Sequence, residues 1–370
     1  MMTDDWSVRP LNQAAHVNAY YASARLCVHA ASLQVPERAF FSAGESGEQP
    51  SARKKRRTSQ RQLAEKDAKR QELLAAGKLV LLPESVKKAL LKAHARATSE
   101  GTLPSLQPPT VEGTIATGEA GREAALLCID DHSSGENDDG EARIARHSLS
   151  EEFVVMPPQS RFLNGDIREL SLSALGKFQL IVMDPPWENK SVRRGRQYAT
   201  FHHTDLSKID LPSIVDDSEC VLGIWVTNRP VYSRFVIDEL LPSWGFELHD
   251  TWYWLKICRS GELVSPIDST HRLPVEKLLV AYRAPDAAGR AALRARLGGA
   301  PRVVVSIPLR HSWKPPPEAF FDDYIRSAPA CSRIELFARE LRPHWVSVGN
   351  QVLHFQSLRL FQELVTSTCP

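Results

Sequence analysis

A short strip of the chain, Asp184-Pro185-Pro186-Trp187, combines a carboxylate, two rigid prolines and an indole. It directly follows the apolar run Phe178 to Met183, which has the pattern of a buried parallel strand, and open α/β sheets bind ligands at the carboxyl ends of such strands. A carboxylate and a backbone carbonyl held there can accept hydrogen bonds from a poorly nucleophilic amine. The N6 amine of adenine is one, because its lone pair is delocalised into the ring.

Each residue of this strip has an expected task. Asp184 and the carbonyl of Pro185 would be the acceptors, and Pro185-Pro186 would stiffen the loop that aims them. Trp187 would offer a face on which an unstacked base can lie, worth about 1–3 kcal/mol. No covalent intermediate is needed, because positioning and polarisation carry the rate. The alternative is a strand end with an indole packed on the core, but the whole strip placed after an apolar strand favours function.

Short apolar runs rich in β-branched and aromatic residues dominate the chain after Glu151. Strands are predicted at Phe178 to Met183, Cys220 to Val226, Asp250 to Ile257, Val275 to Tyr282, Arg302 to Ile307, Ile334 to Phe337 and Trp345 to Val348. Helices are predicted at Val231 to Leu241 and Pro317 to Ser327, and a surface excursion at Ala284 to Pro301. This alternation predicts an α/β fold with a mostly parallel sheet covered on both faces.

The first 150 residues differ in amino-acid composition and hydrophobic pattern from the rest of the chain. We expect a mostly helical, basic N-terminal extension over 1–100, a disordered linker rich in Gly, Ser, Pro and acid over 101–150, the domain that carries the strip over 151–360 and a tail over 361–370. The basic run Arg53 to Arg57 predicts a nuclear localisation signal or a phosphate-contacting arm, and otherwise the solvated start of a surface helix. The nucleus is therefore the expected compartment, with the cytoplasm as a second one.

The bulk composition argues against several classes of protein. Lys and Arg number 46 against 44 Asp and Glu, so the net charge of +2 requires any nucleic-acid surface to be local. The six cysteines form no C-x-x-C pair, which argues against a zinc site or a disulfide framework. No leader-like start or membrane-length apolar run is present, so a soluble intracellular protein is expected. His202-His203 lacks partners at metal-ligand spacing, so no metal is expected.

Several separated motifs, which follow one another in one order along the chain, carry a resemblance to a known family. They are Asp184 to Val192, Trp225 to Pro230, Trp254 to Ile257 followed by Gly261-Glu262, His311 to Pro316, Glu335 to Arg339 and Gly349 to Leu353. With them, the chain from about Val154 to Phe355 resembles the MT-A70 family of adenine-N6 methyltransferases, in particular the methyltransferase-like protein 4 branch. The resemblance implies a Rossmann-like (permuted, beta-class) fold that uses S-adenosylmethionine, which fits the lack of a G-x-G-x-x-G loop.

The resemblance also implies which residues bind S-adenosyl-L-methionine. The cofactor adenine would lie near Asp166 and Ile167, and Lys314 would bind the methionine carboxylate, since a carboxylate is best bound by a cation. The other contacts would come from Asp184, Glu335, Leu336, Phe337, Arg339, Asn350 and Gln351. As alternatives, Lys314 and Arg339 could be ordinary surface cations, and Asp166 could cap a helix at Arg168 to Leu172.

On the substrate side, residues after the strip would hold the target nucleotide. Asn189 and Lys190 follow it directly, and the next loop combines cations for phosphate with an aromatic ring for stacking, in Arg193, Arg194, Arg196 and Tyr198. Trp252 and Trp254 alternate along one strand, so only one indole is expected to reach a site, and Trp254 is the candidate. A merely solvated loop is the alternative.

The branch resemblance implies an enzyme that is active as a monomer on RNA, specifically on 2′-O-methyladenosine of the U2 small nuclear RNA. DNA stays open as the alternative, because family members have been linked to DNA adenine and the 2′ position, where the polymers differ, has no assignable pocket. A catalytically silent RNA-binding partner subunit is a second alternative, but such members lose the acidic and aromatic ends of the strip. This chain retains Asp184, Trp187, Lys314 and Asn350. A metal-dependent hydrolase is disfavoured because no ligand set has the required spacing.

Overall fold

The computed structural model of the protein describes residues 6–39, 68, 72, 82–99, 101–108, 127–129, 134–147, 152–188, 202–269, 273–327 and 332–364. The strands in these ranges are β1 (Ser7–Pro10), β2 (Leu26–Val28), β3 (Leu127–Ile129), β4 (Ser134–Asn137), β5 (Arg143–His147), β6 (Phe153–Met156), β7 (Ser160–Leu163), β8 (Leu180–Met183), β9 (Cys220–Val226), β10 (Glu247–Lys256), β11 (Val275–Arg283), β12 (Arg302–Ser306), β13 (Arg333–Leu336), β14 (Val346–Val348) and β15 (Phe361–Glu363).

The helices in the same ranges are α1 (Gln13–Ala19), α2 (Glu84–Ala97), α3 (Pro230–Phe235), α4 (Ala287–Leu297) and α5 (Glu318–Ser327). Helix α3 continues through a π-helical turn, Val236–Leu240, into a last turn at Leu241–Ser243. Short 3-10 turns lie at Ala22–Ala24, Ala30–Ser32, Leu103–Leu106, Leu172–Leu175, His203–Lys208, Leu211–Ile214 and Leu358–Leu360. Among the described residues, no helix has both the length and the apolar character needed to cross a bilayer.

A ten-stranded sheet organises the fold, in the order β1-β12-β10-β11-β9-β8-β13-β14-β7-β4. The strands from β9 to β7 in this order are all parallel. Strand β11 runs antiparallel to both of its neighbours, so β10 and β12 point the same way as β9. The carboxyl ends of β7 to β10 and β12 to β14 therefore meet at one edge of the sheet, which is where the predicted site would have to lie. The predicted α/β, mostly parallel sheet is confirmed.

The central strands are buried on both faces, as their uninterrupted apolar sequences predict. On β8, Ile181 and Met183 pack in a cluster with α3 and the 3-10 turns that precede β9. Leu180 and Val182 face the opposite way and pack with α4 and α5. This alternation explains why the strand before Asp184 is rigid, because neither of its faces contacts water.

All seven predicted strands of the domain are present, as β8 to β14. The largest shift is at the start of β10, which begins at Glu247 rather than at Asp250. Both predicted helices are also present, as α3 with its π-helical continuation and as α5. The predicted surface excursion between β11 and β12 contains α4, whose N-cap Asp286 accepts the N–H of Gly289 at 2.7 Å.

The prediction of a separate, mostly helical N-terminal extension is wrong for residues 6–39. Strand β1 pairs in parallel with β12 at the edge of the main sheet, and β2 pairs with β15 near the other end of the chain. Strand β15 includes the buried Phe361, so the predicted tail 361–370 begins inside the fold. These pairings join residues about 300 apart in sequence, and no local pattern records them.

The prediction of a disordered linker over 101–150 is also wrong in part. Strand β4 extends the main sheet beside β7, and β5 pairs with β6 across the predicted boundary at 151. Asn137 is buried, and its side-chain amide donates to the carbonyls of Met156 at 3.3 Å and Pro157 at 2.9 Å. Backbone carbonyls thus satisfy a polar side chain that composition alone assigned to solvent. The basic run Arg53 to Arg57 lies outside the described residues.

Candidate active site

The parallel strands bring the separated sequence motifs to one edge of the sheet. Asp184 follows β8, Arg339 lies in the loop after β13, and Asn350 follows β14. The loop after β7, which carries Asp166, is tied to the loop after β14 because the N–H of Gly349 donates to the Leu163 carbonyl at 3.1 Å. Four chain segments therefore meet where the resemblance placed a cofactor.

The carboxylate of Asp184 lies between two cations. It is 8% exposed, and its Oδ1 is 3.1 Å from Nζ of Lys314 while its Oδ2 accepts from Nη1 of Arg339 at 3.0 Å. The Asp184 N–H donates to the carbonyl of Leu336 on β13 at 3.3 Å. Each carboxylate oxygen has a second lone pair, so Asp184 is oriented by its partners and can still accept an N–H from a substrate.

Lys314 is shared between Asp184 and Glu276, a residue that sequence reasoning missed. The Nζ of Lys314 is 3.0 Å from Oε2 of Glu276 and 5.4 Å from the centre of the Trp225 ring. Glu276 also pairs with Lys256. Burial lowers the pKa of Lys314, but the two carboxylates outweigh burial and raise it above the ordinary lysine value. Burial likewise raises the pKa of Glu276, and the two lysines outweigh it and lower that pKa. These alternating charges stabilise one another in a site that largely excludes water.

Glu276 left one readable signal in the sequence. It is the second residue of β11, and β11 is antiparallel to β9, so its amino-terminal end lies at the carboxyl edge of the parallel strands. An acidic residue in an otherwise apolar run, Val275 to Tyr282, marks that end. Because the sequence does not reveal strand direction, this signal could not be used.

The catalytic strip is held by its own backbone and by Trp187. The N–H of Trp187 donates to the Pro185 carbonyl at 2.8 Å, so the expected acceptor retains only its second lone pair for a substrate. The indole Nε1 donates to the Trp225 carbonyl at 2.7 Å, and the ring stacks on Tyr232 at 4.8 Å between centroids. The Tyr232 hydroxyl in turn donates to the Glu188 carbonyl at 2.7 Å. These bonds join the strip to the end of β9 and to α3.

This packing bears on the expected stacking role of Trp187. The residue is 8% exposed and one of its faces is covered by Tyr232, so it is not an open platform in this structure. Base stacking on the remaining exposed part of the ring stays a prediction. The structure shows an indole that anchors the strip. This packing resembles the alternative in which Trp187 packs on the core, and it is compatible with a functional strip.

The residues expected to bind the cofactor separate into two groups. Phe337, Arg339 and Glu335 line one cleft together with Asp184 and Lys314. Gln351 adjoins them because its Oε1 accepts from Nε of Arg339 at 3.3 Å, and Asn350 is exposed at the edge. The alternative that Lys314 and Arg339 are ordinary surface cations is therefore wrong, since both contact Asp184.

Leu336, Ile167 and Asp166 have other surroundings. The side chains of Leu336 and Ile167 are buried in the core beneath the sheet edge, so only their backbones can contact a cofactor. Asp166 accepts from the backbone N–H and the Nε of Arg168 at 3.0 and 2.9 Å. The Arg168 side chain lowers the pKa of Asp166, against the opposing effect of burial. Asp166 thus caps a turn rather than a helix, and its cofactor contact stays a prediction.

A second buried charge cluster also lines the cleft, and the sequence did not predict it. Glu335 is 5% exposed and accepts from Nε of Arg342 at 2.8 Å, and Glu340 pairs with the same guanidinium and with the Trp313 indole N–H. Burial raises the pKa of Glu340 to about 7, although Arg342 opposes this. Glu335 therefore already has a cationic partner, and a cofactor group that reaches it shares the carboxylate with Arg342.

The remaining substrate candidates are not at the site or lie outside the described residues. Trp254 is 2% exposed, and its Nε1 donates to the Ser306 hydroxyl at 2.8 Å, so its expected substrate contact is wrong. The strand turns this indole into the layer that contains Trp225 and Phe320. Six candidates lie outside the described residues, namely Asn189, Lys190, Arg193, Arg194, Arg196 and Tyr198.

The two adjacent histidines acquire a neighbour that their spacing did not predict. Glu188, His202 and His203 each place a ligand-type atom within 4.8 Å of the others. Nε2 of His202 is 3.5 Å from Oε1 of Glu188, while its Nδ1 lies 2.6 Å from the Thr204 hydroxyl. Glu188 and His202 are exposed, so a polar contact between surface side chains explains this cluster, and the expected absence of a metal stays a prediction.

Gly349→Ala is expected to damage the cofactor half of the site. A Cβ at this position would lie 3.1 Å from both the backbone N and O of Ala338, so the loop that carries Asn350 and Gln351 would have to move away from the loop after β13. We expect the free energy of unfolding to fall by about 1–3 kcal/mol and the affinity for S-adenosyl-L-methionine to fall with it. Thermal melting and calorimetric titration check this, and unchanged affinity in the variant would contradict it.

The comparisons with known proteins agree with this geometry. The MT-A70 family model matches residues 178–351. The mouse N(6)-adenine-specific methyltransferase METTL4 is 41% identical over 228 residues, which are 58% of this chain and 46% of that protein. The N6-methyladenosine RNA methyltransferase MTA1 of Pyricularia oryzae is 37% identical over 212 residues, or 54% of each chain. A DNA N6-methyl methyltransferase of Caenorhabditis elegans is 33% identical over 225 residues, which are 59% of this chain and 58% of that protein.

The chain spans about half the length of these curated relatives. The matched range contains β8 to β14, the strip, Glu276, Lys314 and Arg339, which together form the carboxyl edge described above. The motifs, the sheet order and the comparisons therefore agree that the chain belongs to the MT-A70 family, in its METTL4-like branch.

Proposed function

We propose that this chain transfers a methyl group from S-adenosyl-L-methionine to the exocyclic N6 amine of adenine in RNA. The observation that carries the proposal is the carboxylate of Asp184 at the end of β8, oriented by Lys314 at 3.1 Å and Arg339 at 3.0 Å beside a cleft. Family membership and the names of the relatives support the reaction class. MTA1, for example, is named an RNA methyltransferase.

The residues that line the cleft fit the proposed cofactor. Lys314 and Arg339 supply cations for its carboxylate, Asp184 and Glu335 supply anions for its ammonium group, and Phe337 supplies an apolar surface. When bound, S-adenosyl-L-methionine supplies an electrophilic methyl group on a sulfonium. These side chains would hold it, with Asn350 and Gln351 beside its ribose.

The residues of this chain would then act on the amine by orientation. Asp184 would accept one N–H of the adenine amine, which turns the nitrogen lone pair out of conjugation with the ring and toward the methyl group. The Pro185 carbonyl would accept the other N–H through its second lone pair, since the first is used by the Trp187 N–H at 2.8 Å. The ion pairs that fix Asp184 before substrate arrives provide the electrostatic preorganisation of the site.

We further propose that the preferred adenosine already carries a 2′-O-methyl group, as in the U2 small nuclear RNA. The branch resemblance supports this choice. The Caenorhabditis elegans relative, which is named a DNA methyltransferase, supports DNA as the second candidate. A silent partner subunit is disfavoured because Asp184, Trp187 and both cations are present.

Two proposals concern the whole protein. Activity as a monomer is supported because a single chain supplies all the charged side chains named for the cleft, which are Lys314, Arg339, Asp184 and Glu335.

Nuclear location is supported by the basic run Arg53 to Arg57. Size-exclusion chromatography with activity across the peak tests the first, and imaging of a variant with these five residues replaced by alanine tests the second.

Purified protein with labelled S-adenosyl-L-methionine should be offered to sequence-matched oligonucleotides of RNA, RNA with one 2′-O-methyladenosine, and DNA. We expect N6,2′-O-dimethyladenosine to form faster than N6-methyladenosine by roughly tenfold or more, because a hydroxyl-to-methoxy change alters a contact at the reacting nucleotide. Mass spectrometry of the digested nucleosides identifies the product, and Asp184→Asn is the control. Faster product formation on DNA would overturn the RNA proposal, and no N6-methylated product on any polymer would overturn the reaction.

A further inference from the structure

Lys314 is carried by a loop that has no regular secondary structure. Residues 307–317 connect β12 to α5 without a helix or strand, and Ser312 has a φ of 66°, in the left-handed region that non-glycine residues rarely adopt. A loop with such a residue needs restraint from outside to hold one conformation. The question is therefore what fixes the backbone on either side of Lys314.

The side chain of Gln13, in the first turn of α1, contacts this backbone. It is 1% exposed, and its Nε2 donates to the carbonyl of Lys314 at 3.1 Å and more weakly to that of Trp313 at 3.4 Å. Its Oε1 accepts from the Ser306 hydroxyl at 3.4 Å, and that hydroxyl accepts from the Trp254 indole at 2.8 Å. The amide of Gln13 therefore links Ser306, at the end of β12, through its oxygen to the loop carbonyls through its N–H groups.

The surroundings of Gln13 make it a rigid point. The N–H of Leu11 donates to the Val305 carbonyl at 2.9 Å, which continues the pairing of β1 with β12. Asn12 caps α1 by accepting the Ala15 N–H at 3.0 Å. The apolar face of α1 packs in one cluster with Trp313. The loop is therefore fastened to a segment that is part of the same sheet.

We propose that Gln13 is a positioning residue for Lys314, so that the N-terminal segment completes the cofactor site from outside the range that the family model matches. The inference rests on the methyl transfer proposed above, because that function gives Lys314 its role in cofactor binding. The Nζ of Lys314 contacts Asp184 and Glu276 at 3.1 and 3.0 Å. A displacement of about 1 Å at such a site is enough to lower a rate by up to about a hundredfold. Residue 13 lies well outside residues 178–351.

Gln13→Met tests this with a side chain of similar length that cannot donate. We expect the affinity for S-adenosyl-L-methionine, measured by calorimetric titration, to fall roughly tenfold, and KM for the oligonucleotide to change less than about twofold. The matched control is Asn18→Leu on the same helix, because the Asn18 side chain accepts the N–H of Val28 on β2 at 2.8 Å instead of a group of the loop. It should leave cofactor affinity within about twofold of wild type.

A double-mutant cycle separates positioning from a general loss of stability. In a Lys314→Met background, Gln13→Met is expected to change cofactor affinity by less than about twofold, because the group it positions is gone. Equal losses in both backgrounds, or unchanged affinity in a folded Gln13→Met protein, would overturn the inference. Ser306→Ala, which removes the hydroxyl that orients the amide and that also accepts the Trp254 indole N–H, is the milder second variant and should give a roughly twofold to threefold loss if Gln13→Met does not fold. No loss in Ser306→Ala would then count against the proposal.

The calorimetric titration of S-adenosyl-L-methionine does not need turnover. It can therefore distinguish failure of the proposed function from failure of the positioning role of Gln13. Wild-type protein that binds S-adenosyl-L-methionine but methylates no adenine would refute the proposed function while the cycle still measures coupling between Gln13 and Lys314. Methylation with additive effects in the cycle would refute the positioning role alone.

Discussion

Asp184→Asn is expected to lower the rate of N6 methylation by about a hundredfold to a thousandfold while the protein stays folded. The amide keeps the size of the carboxylate but loses the charge that Lys314 and Arg339 hold in place. The fold survives because each cation keeps a second partner, Glu276 at 3.0 Å and Gln351 at 3.3 Å. We expect the free energy of unfolding to fall by about 1–3 kcal/mol.

The kcat should be measured from the methylated nucleoside formed on the preferred oligonucleotide, with thermal melting of each protein alongside. Asp217→Asn is the matched control, because that carboxylate is 94% exposed and pairs only loosely with Lys177 at 3.8 Å. The control should retain the wild-type kcat. Turnover at the wild-type rate in folded Asp184→Asn would refute the role of Asp184.

Lys314→Met is expected to have the second large effect, on cofactor binding and on stability together. Loss of one partner from a buried charge pair costs about 2–5 kcal/mol, so the affinity for S-adenosyl-L-methionine should fall at least about thirtyfold. The free energy of unfolding should fall by about 3 kcal/mol, near the low end for a broken buried pair, because Asp184 keeps Arg339 and Glu276 keeps Lys256.

The stability loss in Lys314→Met should depend on pH in a defined direction. Lys256 and Lys314 lower the pKa of Glu276 from 4.5 against the effect of burial, so its contribution is present above that value and is lost as the pH falls through the folded-state pKa. The carboxylates raise the pKa of Lys314 above 10.5, so its contribution is lost as the pH rises through the folded-state pKa. The difference in the free energy of unfolding between wild type and Lys314→Met should therefore be largest between about pH 5 and 10, and it should become smaller below and above this range.

Urea titrations at several pH values measure this difference. Lys277→Met is the matched control, since Lys277 is the next residue on β11, faces the other side of the strand, and has a pKa lowered by burial. It should leave cofactor affinity unchanged. A stability difference that stays constant from pH 3 to neutral would contradict the proposed coupling of Lys314 to Glu276.

The structure brings together the site candidates whose signal was local, and it adds contacts that no local signal predicts. The strip, Lys314 and Arg339 each lie in motifs of contiguous residues, and the structure brings all of them together. Trp254 belongs to such a motif too, yet its indole is buried beside Trp225. Alternation along a strand limits a site to one face but does not say which face.

The prediction of the fold shows the same division. Strands β8 to β14 were predictable because each is a short apolar run, whereas β1 and β15 are recognisable only through pairing with residues far away in the chain. The linker strands β4 and β5 were hidden by polar composition. Buried Asn137 shows how such a segment joins the fold, since backbone carbonyls accept its amide hydrogens.

The strip Asp184 to Trp187 was determined by the sequence alone, because an apolar strand that ends in a carboxylate, two prolines and an indole is a local chemical pattern. Only the tertiary structure decided how Asp184 is held. Its partners come from after β12 and β13, and Glu276 and Gln13 reach Lys314 from β11 and α1. Interactions between such charges and amides depend on distance and on exclusion of water, which strand order and direction create and which no short stretch of sequence contains.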